Sequence, residues 1–217
     1  MVARWSPDGQ SLAFSTDWQG PPNVYLQDLA GGPPRVLVPF DRRQQYPWAW
    51  TPDAARLVYS NRDEASKDDL WITDREGAKR ERLLATEFAE TEAALSPDGR
   101  LMAFASDVTG AREIYLQSFP GAEGRVRVST GGGSSPRFRG DGRELFYVTP
   151  SGELMAASLA RGASALAAAG PRPLFRFDEA AFRDYDVTPD GQRFLLNLAG
   201  AAAPPDEVIV GWTRLLR

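Results

Sequence analysis

The sequence predicts an all-β protein, a β-propeller built from four-stranded antiparallel blades. Three observations predict it. A Pro-Asp-Gly turn recurs, its Asp standing at Asp8, Asp53, Asp98, Asp141 and Asp190, at spacings of 45, 45, 43 and 49 residues. Periods of about 40–50 residues mark propeller blades or helical arrays. The segment after each turn is apolar on both faces, and helical 3.6-residue periodicity is missing almost everywhere, which decides for blades.

The turn is S-P-D-G at 6–9 and 96–99, T-P-D-G at 188–191, T-P-D-A at 51–54 and R-G-D-G at 139–142. Pro presets φ, Asp bonds back to nearby backbone, and Gly takes the left-handed conformation. Asp8, Gly9, Asp53, Asp98, Gly99, Asp141, Gly142, Asp190 and Gly191 are therefore structural turn residues. Ala54 in the glycine position costs about 1 kcal/mol if the geometry is kept.

Each unit then reads as four strands. Trp5, Trp50, Leu95, Phe138 and Val187 close a short apolar strand ahead of the turn, and Trp5, Trp50 and Trp71 are expected in the core. The second strand carries Leu12, Leu57, Met102, Leu145 and Phe194 four residues beyond the Asp. Third strands are NVYLQDL, DLWITDR, EIYLQSF, ELMAASL and EVIVGW; fourth strands are PRVLVP, RERLLA, RVRVST and PRPLFR. The Ala-rich ASLARGASALAAAG (157–170) reads as a loop or one helical turn between strands three and four of the fourth blade. The blades fall at about 1–40, 45–86, 91–131, 134–177 and 182–217, one propeller domain over 1–217. The fifth lacks its outermost strand, which predicts the C-terminal part of a larger propeller, or a reading frame that starts late. Five blades also lie within the range of about four to eight that closes a ring.

Composition narrows function. Net charge is −4, against a nucleic-acid partner, which needs a basic patch. Histidine and cysteine are absent, removing the usual neutral-pH base, any Ser-His-Asp triad and His- or Cys-based zinc sites. No stretch of about 18 apolar residues exists to insert in a membrane. MVARWSPDGQ lacks the apolar core of a signal peptide. GGGSS at 131–135 has no following Lys and is a turn rather than a phosphate loop. The acidic Asp63, Glu64, Asp68 and Asp69 lack the spacing of a calcium loop and read as a solvated loop. No catalytic residue, cofactor site or metal site is expected.

The repeats resemble the TolB-type propeller, a relative of the WD repeat, over essentially the whole chain. GGGSSPRFRGDGRELFYVTPSGELMAASL, PRPLF, YDVTPDGQRFLLN and VIVGWTRLLR are further similar to the C-terminal propeller of bacterial serine/threonine kinases, with Gly211 where that family has Asn. The resemblance implies an extracytoplasmic sensor or scaffold, downstream of a kinase domain and a membrane span. Its partner would be a protein, a peptide or a small extracellular ligand. Candidate binding residues on the loop face are Trp18, Arg42, Arg43, Tyr46, Trp48, Arg62, Asp63, Phe182 and Arg183, because aromatics and Arg anchor interfaces. Two alternatives stay open: a hydrolase or lyase using carboxylates at the channel, and the propeller of a prolyl-oligopeptidase-like peptidase.

Overall fold

The computed structural model describes residues 2–40, 43–62, 67–121, 123–161 and 166–199. Each of the first three repeats is one antiparallel four-stranded sheet. The first holds β1 (Ala3–Trp5), β2 (Ser11–Thr16), β3 (Asn23–Asp28) and β4 (Arg35–Val36) in sequence order. The second holds β5 (Gln44–Trp50), β6 (Arg56–Arg62), β7 (Asp68–Asp74) and β8 (Arg80–Leu84). The third holds β9 (Glu90–Leu95), β10 (Leu101–Ser106), β11 (Glu113–Ser118) and β12 (Val126–Arg127). The fourth comprises β13 (Ser134–Phe138), β14 (Glu144–Val148) and β15 (Glu153–Arg161), with β16 (Leu166–Ala168) and β17 (Arg172–Arg176) both paired to β15. In the fifth, β18 (Phe182–Val187) pairs with β19 (Phe194–Leu198), after a short 3₁₀ turn at Glu179–Ala181. This is the predicted all-β architecture.

Side-chain chemistry explains why each turn forms where it does. The Ser6 hydroxyl donates to Asp8 Oδ1 at 2.5 Å, and Asp8 Oδ1 also accepts from the Gln10 amide. Ser6 Oγ in turn accepts the Ser11 amide, the first of β2. Thr51, Ser96 and Thr188 repeat the contact with Asp53, Asp98 and Asp190. In the fourth repeat Arg139 replaces the hydroxyl: Asp141 accepts the Arg143 amide and is ion-paired with the Arg139 guanidinium at 3.6 Å. Ala54 holds the left-handed geometry at φ 56°, as its glycine counterparts do.

Blades pack face to face. Trp50, Leu57 and Tyr59 of the second sheet meet Ala13, Val24, Leu26 and Leu37 of the first. Val58, Leu70 and Ile72 meet Met102, Phe104 and Tyr115, and Ala103, Ile114 and Leu116 meet Leu145 and Tyr147. Burying each large side chain contributes about 1.5–3 kcal/mol, so these interfaces dominate the fold's stability.

Four expectations need correction. Trp5 is 60% exposed, whereas Trp50 at the same repeat position is 6% exposed, because a preceding blade covers Trp50 and none among the described residues covers Trp5. Leu195, the fifth blade's equivalent of buried Ala13 and Val58, is 62% exposed for the converse reason. The segment 157–170 is neither loop nor helical turn at its ends: β15 runs on to Arg161 and pairs back, Leu159 opposite Ala168. The fourth strands of the first and third blades are also shorter than expected, two residues each. The expected strand EVIVGW (207–212) lies outside the described residues.

Candidate functional site

The innermost strands β1, β5, β9, β13 and β18 stand side by side about a common axis. The connections between blades share one end of that axis with the hairpins joining second and third strands. Gln45 N–H donates to Pro22 O, Ala89 N–H to Asp107 Oδ1, Gly133 N–H to Arg112 O, and Phe177 N–H to Gly152 O, at 2.8–2.9 Å. The S-P-D-G turns occupy the opposite end, so variable loops and structural turns are segregated.

At the loop end a cavity of about 230 Å³ opens between the second and third blades. Tyr46 and Trp48 of β5 form one wall, their rings tilted with centroids 6.3 Å apart. Ser60 and Arg62 of β6 and Asp68 of β7 form the next. Glu92 of β9 and Arg112 close it, ion-paired at 2.8 Å. Local backbone aims these groups inward. The ladder slips by one residue at Trp48, a bulge that re-aims a side chain. Glu92 adopts φ 55°, unusual for a residue with a Cβ, and its Oε2 accepts the Ser135 amide at 2.6 Å.

Electrostatically the cavity is balanced, two guanidinium groups against two carboxylates. Burial pushes the Asp68 carboxyl above its ordinary value, opposed by Arg62 and Arg112. Burial likewise raises the Tyr46 phenol, with Asp68 adding to it. Ser60 is 1% exposed, and among the described residues neither its hydroxyl nor the buried Trp48 indole N–H has a hydrogen-bond partner. Such orphans are costly, and each asks for an explanation.

A second cavity, of about 400 Å³, lies where the first and fifth blades meet. Asp184 bridges Arg4 at 3.3 Å and Arg137 at 3.0 Å, with Trp5 and Leu195 flanking. Arg4 also donates to Trp48 O at 2.9 Å and lies over the Trp48 ring. Burial, and then the Arg137 charge, lower the Arg4 guanidinium to about 10.

The structure gathers Tyr46, Trp48 and Arg62 around one cavity. The other candidates lie elsewhere. Trp18 sits 62% exposed with its ring edge-on to Phe14 and Tyr25, capping the open face of the first blade. Phe182 packs on Phe177 at 5.0 Å, the Arg183 guanidinium donates to the Phe182 and Ala180 carbonyls, and Arg43 is half-buried ahead of β5. Arg42 and Asp63 fall outside the described residues. Sequence reading missed Ser60, Glu92 and Arg112. A charge inside a short innermost strand, as at Arg4, Glu92, Arg137 and Asp184, was the available signal for the axial groups.

Fold and site together define a β-propeller whose variable loops and axial cavity lie at one end. The chain belongs to the TolB beta propeller domain family, which matches residues 1–168. An uncharacterized protein of Agrobacterium fabrum (strain C58) is 29% identical over 147 residues, covering 66% of this chain and 49% of that protein. A TolB homolog of Chlorobium chlorochromatii is 30% identical over 101 residues, 46% of this chain and 22% of the homolog. The crystal structure of TolB from Acinetobacter baumannii superposes with a TM-score of 0.67 at 21% identity, covering 88% of this chain and 47% of that one. The chain thus spans half or less of the length of these relatives.

Proposed function

We propose that this chain is a non-catalytic recognition module, one propeller domain over 1–217, that holds a protein or peptide against its loop end. The carrying observation is the segregation of ends. Tyr46, Trp48, Arg62 and Arg112, residue types that anchor interfaces, converge at the loop mouth of the axis, while the far end is spent on turns. Three carboxylates support the same reading, because the fold already employs them. Glu92 holds Arg112 and the Ser135 amide, Asp184 holds two arginines, and Glu113 accepts from Ser129 and the Gly131 amide. Carboxylates committed in this way are poorly placed for acid–base work.

Peptides selected from a displayed random library against the intact chain test this. Expected is binding that weakens about tenfold or more in Tyr46→Ala and Arg112→Ala, the loss of one anchor, and is unchanged in Arg100→Ala at the opposite end. Selected peptides that ignore both loop-end variants overturn the reading.

The finer placement is the extracytoplasmic, C-terminal portion of a receptor-like serine/threonine kinase. It is supported by the similarity of residues 131–159 to that kind of propeller. Reading the genomic frame upstream of Met1 tests it. An in-frame kinase domain and an apolar span support the placement, and a nearby stop codon overturns it.

A further inference from the structure

The turns at the end opposite the variable loops carry an inference that does not depend on recognition of a partner. Four of the five repeats place glycine directly after the turn aspartate, at Asp8–Gly9, Asp98–Gly99, Asp141–Gly142 and Asp190–Gly191. An Asp–Gly step has its own chemistry. Glycine has no Cβ to shield its amide nitrogen, so that nitrogen can attack Cγ of the preceding aspartate. The attack needs a carboxyl that is free to rotate and that is protonated, so that its hydroxyl can leave as water.

The four steps are matched in everything but the carboxyl. Gly9, Gly99, Gly142 and Gly191 all lie between φ 66° and 70°. Each donates its N–H at 2.8 Å to the carbonyl three residues back. Asp8, Asp98 and Asp190 accept on Oδ1 both a hydroxyl, from Ser6, Ser96 or Thr188 at 2.5–2.6 Å, and the amide two residues on. The hydroxyl bond is the first cause of the lowered Asp8 and Asp190 carboxyls, so it keeps them ionised as well as fixed. Asp141 has no such clamp, because Arg139 stands in the hydroxyl position. Its Oδ1 accepts the Arg143 amide, and the Arg139 guanidinium comes no nearer to Oδ2 than 3.6 Å while also holding Glu144 at 3.2 Å.

We propose that Asp141–Gly142 is a site of spontaneous isoaspartate formation, and that the hydroxyl clamp protects the other three steps. Gly142 N bonds to Asp141 Cγ as the Cγ–OH bond breaks, and the hydroxyl departs with the amide proton as water. Water then adds to the Asp141 backbone carbonyl carbon of the resulting succinimide and cleaves its bond to nitrogen. The chain now runs through Cγ, the mass is unchanged, and no oxidant or reductant takes part. The inserted methylene lengthens the turn between β13 and β14, where Gly140 N–H donates to Pro189 O of the fifth blade's turn at 2.9 Å.

Prolonged incubation of the intact chain at about pH 5, close enough to the ordinary Asp pKa of about 3.9 to protonate a fraction, tests the proposal. Proteolysis and chromatography then separate the Asp and isoAsp peptides, which have equal mass. IsoAsp is expected at position 141 about tenfold faster than at 8, 98 or 190, the weight of one hydrogen bond to a charged group. Arg139→Ser restores a hydroxyl and should slow Asp141 by a similar factor, whereas Ser96→Ala should bring Asp98 to the rate of Asp141. Melting curves verify that both variants fold. The proposal is overturned by no isoAsp at 141, or by isoAsp at 8, 98 or 190 appearing as fast. A folded Arg139→Ser chain that isomerises at the native rate overturns it equally.

Discussion

At the scale of single residues, the repeated turn works because a hydroxyl two positions before the Asp closes it. Ser96 is wholly buried, donates to Asp98 Oδ1 at 2.6 Å and accepts the Leu101 amide at 2.9 Å. Ser96→Ala orphans that amide, so we expect a loss of about 1–3 kcal/mol, read as a lower midpoint in urea unfolding. The Asp partner makes a pH prediction. Asp8 is held down to about 2 from 3.8, chiefly by the Ser6 hydroxyl, then by the Gln10 amide and Arg75. Its folded-state pKa lies below the unfolded one, so its contribution is fully present above pH 3.8 and is lost as pH falls toward 2. The stability gap between the native chain and Asp8→Asn should therefore be constant at neutral pH and shrink only across that acid window. The Asp and Gly of these turns were legible in the sequence because φ and local hydrogen bonding belong to the tetrapeptide itself. The role of Ser6, Thr51, Ser96 and Thr188 was less so, since a serine before proline has many ordinary uses.

Elements are held by contacts between sheets as much as within them. Gly77, in the hairpin between β7 and β8, shows how close that approach is. A Cβ there would sit 1.9 Å from the Leu37 carbonyl oxygen of the first blade, and the backbone is at φ +77°. Gly77→Ala must push the two blades apart, so we expect a loss above about 3 kcal/mol, among the larger single-site effects. By contrast, Ala54→Gly should be nearly neutral. Relief of the left-handed strain, about 1–2 kcal/mol, is offset by the lost burial of a methyl, about 0.8 kcal/mol, and by a looser unfolded chain. Thermal melts distinguish the two cases, and a Gly77→Ala protein melting with the native chain would refute the interblade argument. The strand order was legible because apolar periodicity and turn spacing are local. The exposure of Trp5 and Leu195 was not, because burial at those repeat positions is conferred by the neighbouring blade rather than by the strand itself. The pairing of β16 onto β15 was hidden for a different reason: alanine-rich sequence carries little strand propensity, and the ladder forms only because β15 extends far enough to template it.

Across the whole molecule, charges along the axis connect blades that are distant in sequence. Arg112 binds Glu92, Glu92 accepts from Ser135, and Arg137 and Arg4 share Asp184, which places the first and last described blades in contact. This part of the site was only half legible: a charge in an innermost strand is visible in the sequence, but which charges meet depends on the angle between blades. Arg4 and Arg137 are each less than one-fifth exposed, so Asp184 is what keeps two largely desolvated cations from facing each other unpaired. Asp184→Asn retains the shape and removes the charge. Breaking a buried pair from one side leaves an uncompensated charge and costs about 3–5 kcal/mol, and partial exposure of the carboxylate places this case at the low end. Arg4→Met alone removes one cation and leaves Asp184 with Arg137, so its cost should be smaller. The double variant Asp184→Asn with Arg4→Met should then be less destabilised than the sum of the two single changes. A coupling of at least about 1 kcal/mol in the unfolding cycle is expected for groups in direct contact. Strict additivity would mean that the Arg4–Asp184 pair contributes nothing to holding the two blades together.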